Sequence, residues 1–386
     1  MQSDASDVTG SFWTNRQRQA SSLHEVPYRA CFKPPQLPKF FIERYSSPGD
    51  TVFDPFSGRG TTAVEAALLL RTPISNDTNP LSEILTRPRL EPPGLDEVAR
   101  RLSSITVDYG ARAGIDLSMF YHPPRTEAEV VSLRDYLMER RESGKEDRVD
   151  RWIRMVATTR LTGGHSSGFF SVYSLPPNQA ASPEEQERIN RRLGGQEPEY
   201  RDVKKIVLRK SASLLRDVSP EVLERLSAVS GKARFTSDDS RDLVSVGDGT
   251  VDLTVTSPPF INLVDYAKDN WMRLWFNCID AGEVKGGRIT VLSDLGSWKS
   301  FISATMRELF RITKPGGYVA FEVGETRKAD LKEIVRECGT EAGLEHVVTY
   351  INVQRFTKTS HIWGVENNRL GTNTNRIVLF RRPAHS

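Results

Sequence analysis

The stretch from Gly49 to Asp77 constrains the fold more than any other part of this chain. Gly49-Asp50-Thr51-Val52-Phe53-Asp54-Pro55-Phe56-Ser57-Gly58-Arg59-Gly60-Thr61-Thr62 reads as a turn, a short strand, a tight glycine loop and a helix start. Gly58 and Gly60 permit φ values closed to other residues and let backbone come close to a ligand. Thr61 or Thr62 is placed to cap the helix, and Ala63 to Leu70 is rich in helix formers. Pro73-Ile74-Ser75-Asn76-Asp77 then gives a second short strand that ends in an acid. An acid at that tip is positioned to accept both hydroxyls of a ribose. The loop has no Gly-Lys-Ser/Thr, so a nucleoside triphosphate is not the expected ligand.

A second motif follows the strand-like run Val251-Asp252-Leu253-Thr254-Val255. In Thr256-Ser257-Pro258-Pro259-Phe260, two consecutive prolines fix φ and remove two N–H donors. The residue before each is driven to extended geometry. The product is a stiff corner with a hydroxyl before it and an aromatic face after it. Such a corner can grip a flat ring bearing an exocyclic amine: Ser257 and a proline carbonyl accept from the amine while Phe260 stacks. The plainer reading is a strand-ending turn with a core Phe. The glycine loop, the strand-end Asp77 and the later Ser-Pro-Pro-Phe, in that order, favour the chemical one.

At these residues the chain resembles the S-adenosylmethionine-dependent DNA amino-methyltransferases, which make N4-methylcytosine or N6-methyladenine. The resemblance covers roughly residues 26–81 and 232–386. It implies that Asp54, Pro55, Phe56, Ser57, Gly58, Gly60, Thr61 and Thr62 hold the methionine part of S-adenosyl-L-methionine and that Asp77 holds its ribose. Phe32, Lys33 and Pro35, in the segment from Phe32 to Ile42, match the part that closes over the cofactor carboxylate. Asp238 or Asp239, after a third strand at Ala233–Thr236, would flank the adenine. Ser257, Pro258, Pro259 and Phe260 match the catalytic tetrapeptide. Ser before Pro-Pro is commoner in the cytosine enzymes, which points to cytosine N4; adenine N6, an RNA base, or a non-catalytic nucleic-acid-binding subunit are the competing readings. No cysteine adjoins a proline in the manner of the covalent C5-cytosine enzymes, so direct transfer to a flipped base is expected.

Strands alternating with helices imply an α/β protein with a doubly wound, Rossmann-like sheet. Strands are expected near 51–54, 73–77, 233–236, 251–255, 318–322, 346–353 and 376–381, with helices at Pro38–Tyr45 and Lys328–Gly343 and a turn at Gly316-Gly317. Residues 1–25 are polar and read as a mobile arm. The catalytic domain would comprise 26–90 and 231–386, interrupted by a mostly helical insertion, 91–230, as target-recognition region. In the insertion, Thr126 and Glu129 have capping-box spacing. Val203, Ile206, Val207 and Leu214 form an apolar stripe, with Lys204 and Lys205 lying off it as a solvated or phosphate-contacting face. His165, Tyr173 and Asn178, in a Gly-rich aromatic stretch, are candidates to read base edges. Lys358 and Arg369 lie in a polar hairpin that could enter a groove, and Asp265 and Tyr266 could line the target pocket. Trp271, Leu274 and Trp275 suit a buried helical stripe.

Composition is compatible with this reading. Net charge is only +3 with opposite charges mixed, so a nucleic-acid surface must be local. The three cysteines, Cys31, Cys278 and Cys338, are odd in number and far apart, against a disulfide framework. The six histidines lack zinc spacing, so no metal is expected. No apolar run approaches about 18 residues, so a membrane span is not expected. The expected setting is the cytoplasm of a bacterial or archaeal cell, with double-stranded DNA as partner. A homodimer or a separate restriction or defence chain is the other candidate company.

Overall fold

The computed structural model describes residues 7–13, 20–28, 34–122, 124–163, 168–171, 183–192, 194, 198–259, 268–280, 294–324, 329–354 and 373–384. Its strands are β1 (Asp7–Gly10), β2 (Thr51–Asp54), β3 (Thr72–Asn76), β4 (Arg234–Thr236), β5 (Val251–Thr256), β6 (Thr313–Val323), β7 (Glu345–Gln354) and β8 (Asn373–Arg381). They form one sheet in the order β1-β7-β8-β6-β5-β2-β3-β4. The pairs β1–β7, β2–β3, β2–β5, β3–β4 and β5–β6 are parallel, while β8 runs antiparallel to both neighbours. Progression runs from β2 outward to β3 and β4, then returns to β5 and runs the other way. That reversal puts the switch point between β2 and β5, where the crevice of a doubly wound sheet opens at the carboxyl ends.

In chain order the helices are α1 (Gln36–Tyr45), α2 (Thr61–Leu68), α3 (Leu81–Thr86), α4 (Leu95–Ser104), α5 (Arg125–Glu142), α6 (Arg148–Thr158), α7 (Pro183–Arg192), α8 (Val203–Leu215), α9 (Pro220–Ser230), α10 (Trp271–Phe276), α11 (Leu295–Ile312) and α12 (Leu331–Glu341). Both sheet faces are covered, and the period-2 alternation of strand side chains shows how. Val52, Leu253, Ala320, Ile377 and Leu379 pack with Leu37 and Phe41 of α1 and Ala66 of α2. Phe53, Val319, Phe321, Val378 and Phe380 face the other way, onto Trp298, Ile302 and Met306 of α11 and Val335 of α12. No described helix is long and apolar enough to cross a membrane.

Several expectations change in detail. The segment read as an arm is partly built into the fold: β1 extends the sheet edge, and Trp13, Leu23 and Val26 are buried. Asn352, itself fully buried, makes this docking possible for a polar segment. Its side-chain oxygen accepts from Phe12 N at 2.7 Å, and its amide donates to the Trp13 carbonyl at 3.2 Å. Gly316 and Gly317, expected as a turn before the strand at 318–322, lie inside the longer β6, where pairing jumps from Thr313 to Tyr318 and Gly316 takes φ +82°.

The described residues of 91–230 are mostly helical, and their apolar core is continuous with the rest. Val98, Leu102, Leu133, Trp152, Ile153 and Val207 share one cluster with Val64 and Ala67 of α2 and with Leu23 and Val26. Its last helix, α9, is the crossover that leads into β4. The expected capping box does not form, because the N-cap of α5 is Pro124, two residues before Thr126. Thr126 Oγ1 instead accepts from Arg201 N at 2.8 Å, and Glu129 accepts from Val203 N and the Tyr200 hydroxyl, both at 2.9 Å. These two residues therefore anchor the start of α8 rather than their own helix. The apolar stripe of α8 is buried as predicted. Its basic face is not uniformly solvated, since the Lys204 ammonium turns inward onto the Ile105 carbonyl.

Candidate active site

The site grows from the carboxyl ends of β2, β3 and β5. Asp54, the last residue of β2, is buried. Its Oδ1 accepts from the Thr256 hydroxyl at 2.6 Å and from Phe56 N at 3.1 Å, and its main-chain carbonyl accepts from the Ser57 hydroxyl at 3.0 Å. One carboxylate thus folds the glycine loop back on its own strand and ties it to β5. Asn76, at the end of β3 and fully buried, does the same for the neighbouring loops. Its amide donates to the carbonyls of Pro55 (3.2 Å) and Asp238 (3.0 Å), and its oxygen accepts from the Thr236 hydroxyl (2.7 Å) and Asp238 N (2.9 Å). Sequence reasoning passed over Asn76; its position one residue before the strand-end acid was the available signal.

Asp77 stands at the tip as expected. Its Oδ2 accepts from Gly58 N at 2.7 Å and its Oδ1 from Asn79 N at 2.8 Å. Burial raises its carboxyl to about 6; these two N–H bonds pull the other way, and the Asp54 charge pushes further up. Each oxygen keeps a lone pair for a further donor.

Helix α2 is not capped by Thr61 or Thr62. Its N-cap is Gly60, in the left-handed region at φ +72°. A Cβ there would overlap the Thr86 side chain, so both conformation and space require glycine. The two threonines are buried. The Thr62 hydroxyl donates to the Val255 carbonyl at 3.1 Å and Thr61 accepts from Arg59 Nε at 3.3 Å, so they brace the loop from behind. Gly58 has φ +53° with only Tyr28 near, 3.9 Å away. Tyr28 is fixed by Asn79, whose amide donates to its hydroxyl at 3.0 Å.

At the end of β5, Thr256 is held by Asp54, and the Pro259 carbonyl accepts from the Trp298 indole Nε1 at 3.3 Å. Between them, the Ser257 hydroxyl and the Pro258 carbonyl have no hydrogen-bond partner among the described residues, and Ser257 is half-buried. Phe260, Asp265 and Tyr266 lie outside the described residues, as do Phe32, Lys33, His165, Tyr173, Asn178, Lys358 and Arg369. Pro35 is buried just before α1. Asp238 and Asp239 are both engaged locally: Asp238 accepts from Ser245 N at 2.8 Å, and Asp239 pairs with Arg241, which holds its carboxyl below the usual range. The Lys204 ammonium donates to the Ile105 carbonyl, and Lys205 pairs with Asp202 one turn before it at 3.0 Å. Among the described residues no group of three His, Cys, Asp or Glu side chains is arranged to hold a metal ion.

Residues 2–85 match the family described as DNA methylase, of the N6/N4 type. The resemblance drawn from the motifs therefore holds over the segment carrying the glycine loop and Asp77. Comparison with curated proteins gives no match. Among solved structures the chain is similar to TrmN from Thermus thermophilus, at 12% identity and TM-score 0.36 over 95% of this chain and 52% of that one. It is also similar to TTHA0409, again from Thermus thermophilus, a candidate DNA modification methylase solved with S-adenosyl-L-methionine, at 20% identity and TM-score 0.23 over 38% of this chain and 53% of that one. The rRNA methyltransferase aviRa from Streptomyces viridochromogenes gives 14% identity and TM-score 0.38 over 96% of both chains. The chain spans about half the length of the first two.

Proposed function

We propose that this chain transfers a methyl group from S-adenosyl-L-methionine to the exocyclic amine of a flipped nucleic-acid base, with cytosine N4 of double-stranded DNA as the acceptor. The observation that carries this reading is the pattern of hydrogen bonds at the Pro-Pro corner. Thr256 and the Pro259 carbonyl are fixed to the scaffold, while the two acceptors between them, the Ser257 hydroxyl and the Pro258 carbonyl, are unengaged among the described residues. An amine has two N–H donors, and the corner offers two adjacent acceptors.

The residues around the glycine loop suit the cofactor. Asp77 has acceptor capacity on both oxygens for a ribose diol, and Gly58 and Gly60 hold a backbone turn that a side chain would block or strain. The cofactor, when bound, supplies an electrophilic methyl group on a sulfonium centre. An amine conjugated to its ring is a poor nucleophile, so the chain's part is to hold its two N–H groups. The Ser257 hydroxyl and the Pro258 carbonyl would draw its lone pair out of the ring plane and stabilise positive charge developing on nitrogen. Phe260 would stack on the flipped ring, recovering about 1–3 kcal/mol of the unstacking cost. Restraining the amine in line supplies the remaining gain by proximity. A Ser in front of Pro-Pro supports cytosine over adenine.

Incubation of unmethylated DNA with the protein and S-adenosyl-L-methionine, followed by nucleoside mass spectrometry, tests this. N4-methylcytosine is the expected product. N6-methyladenine would reassign the base, and methylation of RNA alone would reassign the polymer. Cofactor binding with no product on either would contradict the proposal.

A further inference from the structure

A cleft of about 160 Å³ opens where the helical region meets the catalytic face. One wall holds Pro80, three residues beyond Asp77, and another holds Ile279, which follows α10 on the segment that leaves the Pro-Pro corner. The third wall comes from α5 and α6 and brings arginines to the cleft. The deepest of these is Arg154, only 5% exposed. Its Nε donates to Asn277 Oδ1 at 2.8 Å and its Nη1 to Glu146 at 3.3 Å, but its buried Nη2 has no hydrogen-bond partner. Arg141 stands exposed at the rim with no side-chain partner among the described residues, close enough that its charge, after burial, is the next largest influence holding the Arg154 guanidinium below its usual range. Arg154 itself is ion-paired with Glu146, Arg151 with Glu91 and Arg87 with Glu83, so Arg141 carries the unmatched charge among the described lining residues.

The unmatched Arg141 charge beside a guanidinium that keeps one unused donor is an arrangement that an anion drawn between them relieves. Planar guanidinium forks match phosphate oxygens well. We propose that this cleft is a phosphate-binding subsite that takes one phosphodiester of the nucleic-acid target and fixes its backbone against the catalytic face. The inference rests on the reading of the chain as a nucleic-acid methyltransferase. Backbone contacts of this kind set register on the polymer and carry no sequence information.

Fluorescence anisotropy of a labelled duplex over a salt series, with the full chain, tests the subsite. Arg141→Gln is the informative variant because an exposed rim residue can be removed without opening the core. It is expected to weaken duplex binding roughly threefold to tenfold at low salt and to lower the slope of log K against log salt by about 1. Calorimetric binding of S-adenosyl-L-methionine should match the wild type. Arg100→Gln, which removes an exposed charge elsewhere in the same region, should leave the duplex affinity unchanged. Arg154→Lys keeps the charge and loses the fork, and should fall between wild type and Arg141→Gln. Duplex binding by Arg141→Gln as tight as wild type, or no weaker than Arg100→Gln, overturns the proposal. Thermal stabilisation by inorganic phosphate that Arg141→Gln abolishes, with duplex affinity untouched, also overturns the polynucleotide assignment and points to a free phosphorylated ligand. Wild-type methylation of DNA alongside an unaffected Arg141→Gln would sink the subsite and leave the proposed activity standing.

Discussion

The hydroxyl of Thr256 donates to the carboxylate of Asp54 across 2.6 Å, joining residues 202 positions apart at the ends of two neighbouring strands. That bond sets the glycine loop and the Pro-Pro corner in a fixed relation. If the cofactor sits on the one and the target base on the other, the distance between reacting groups is inherited from it. Thr256→Val keeps shape and removes the donor, leaving a buried carboxylate oxygen short of a partner. The expected cost is about 1–3 kcal/mol in urea denaturation, with a larger fractional loss of methylation than of cofactor affinity. Unchanged stability and unchanged turnover would show that the bond is dispensable.

The two glycines of the loop should behave differently. Gly60→Ala meets both a left-handed backbone and the Thr86 side chain, which is buried and cannot swing away. A loss above about 2 kcal/mol is expected. Gly58→Ala meets only the backbone penalty, about 1 kcal/mol, because the nearest atom is 3.9 Å off. Thermal melting of both variants checks the order, and equal losses would contradict it.

The Asp77 carboxyl is raised to about 6 from an ordinary 3.8, chiefly by burial. A folded pKa above the unfolded one means that the native state holds the proton more tightly. The protein without cofactor should therefore lose stability as pH rises from about 4 to about 6, and level off above that. Cofactor affinity should run the other way, since the ionised carboxylate is the better acceptor for ribose hydroxyls. Calorimetry should find affinity steady above about pH 6 and falling below it, up to tenfold per unit. Asp77→Asn should bind weakly without that pH dependence; a variant that kept it would assign the titration to another group.

Trp298 reaches the corner through one bond, from its indole to the Pro259 carbonyl at 3.3 Å. Trp298→Phe keeps an aromatic ring in the core and removes the donor, at about 1 kcal/mol. Steady-state kinetics should show a lower kcat with the KM for cofactor little changed. A selective rise in the cofactor KM would place Trp298 on the wrong side of the site.

Much of this site is written locally. The strand–glycine loop–helix unit at Thr51–Leu68, the strand-end acid and the Pro-Pro corner are legible because each depends on residues adjacent in sequence. The alternation of Val52 with Phe53, and of Ala320 with Phe321, likewise marks a strand buried on both faces. What was not legible depends on partners far along the chain. Asp7–Gly10 reads as a polar tail until Asn352 is there to hold its continuation. Thr126 and Glu129 have the spacing of a capping box, yet their hydrogen bonds go to Arg201 and Val203 because those N–H groups are brought alongside. Lys204 looks like part of a basic face until the chain brings the Ile105 carbonyl to it. Periodicity reports what a residue can do, and tertiary neighbours decide which of those options is used.

In the proposed reaction, Ser257 and the Pro258 carbonyl hold the amine that accepts the methyl group. That role is tested by nucleoside mass spectrometry of DNA treated with wild type and with Ser257→Ala, alongside calorimetry of cofactor binding. N4-methylcytosine is expected from the wild type and little or none from Ser257→Ala, with both proteins binding S-adenosyl-L-methionine equally. Full methylation by Ser257→Ala, or loss of its cofactor binding in place of its chemistry, would contradict it.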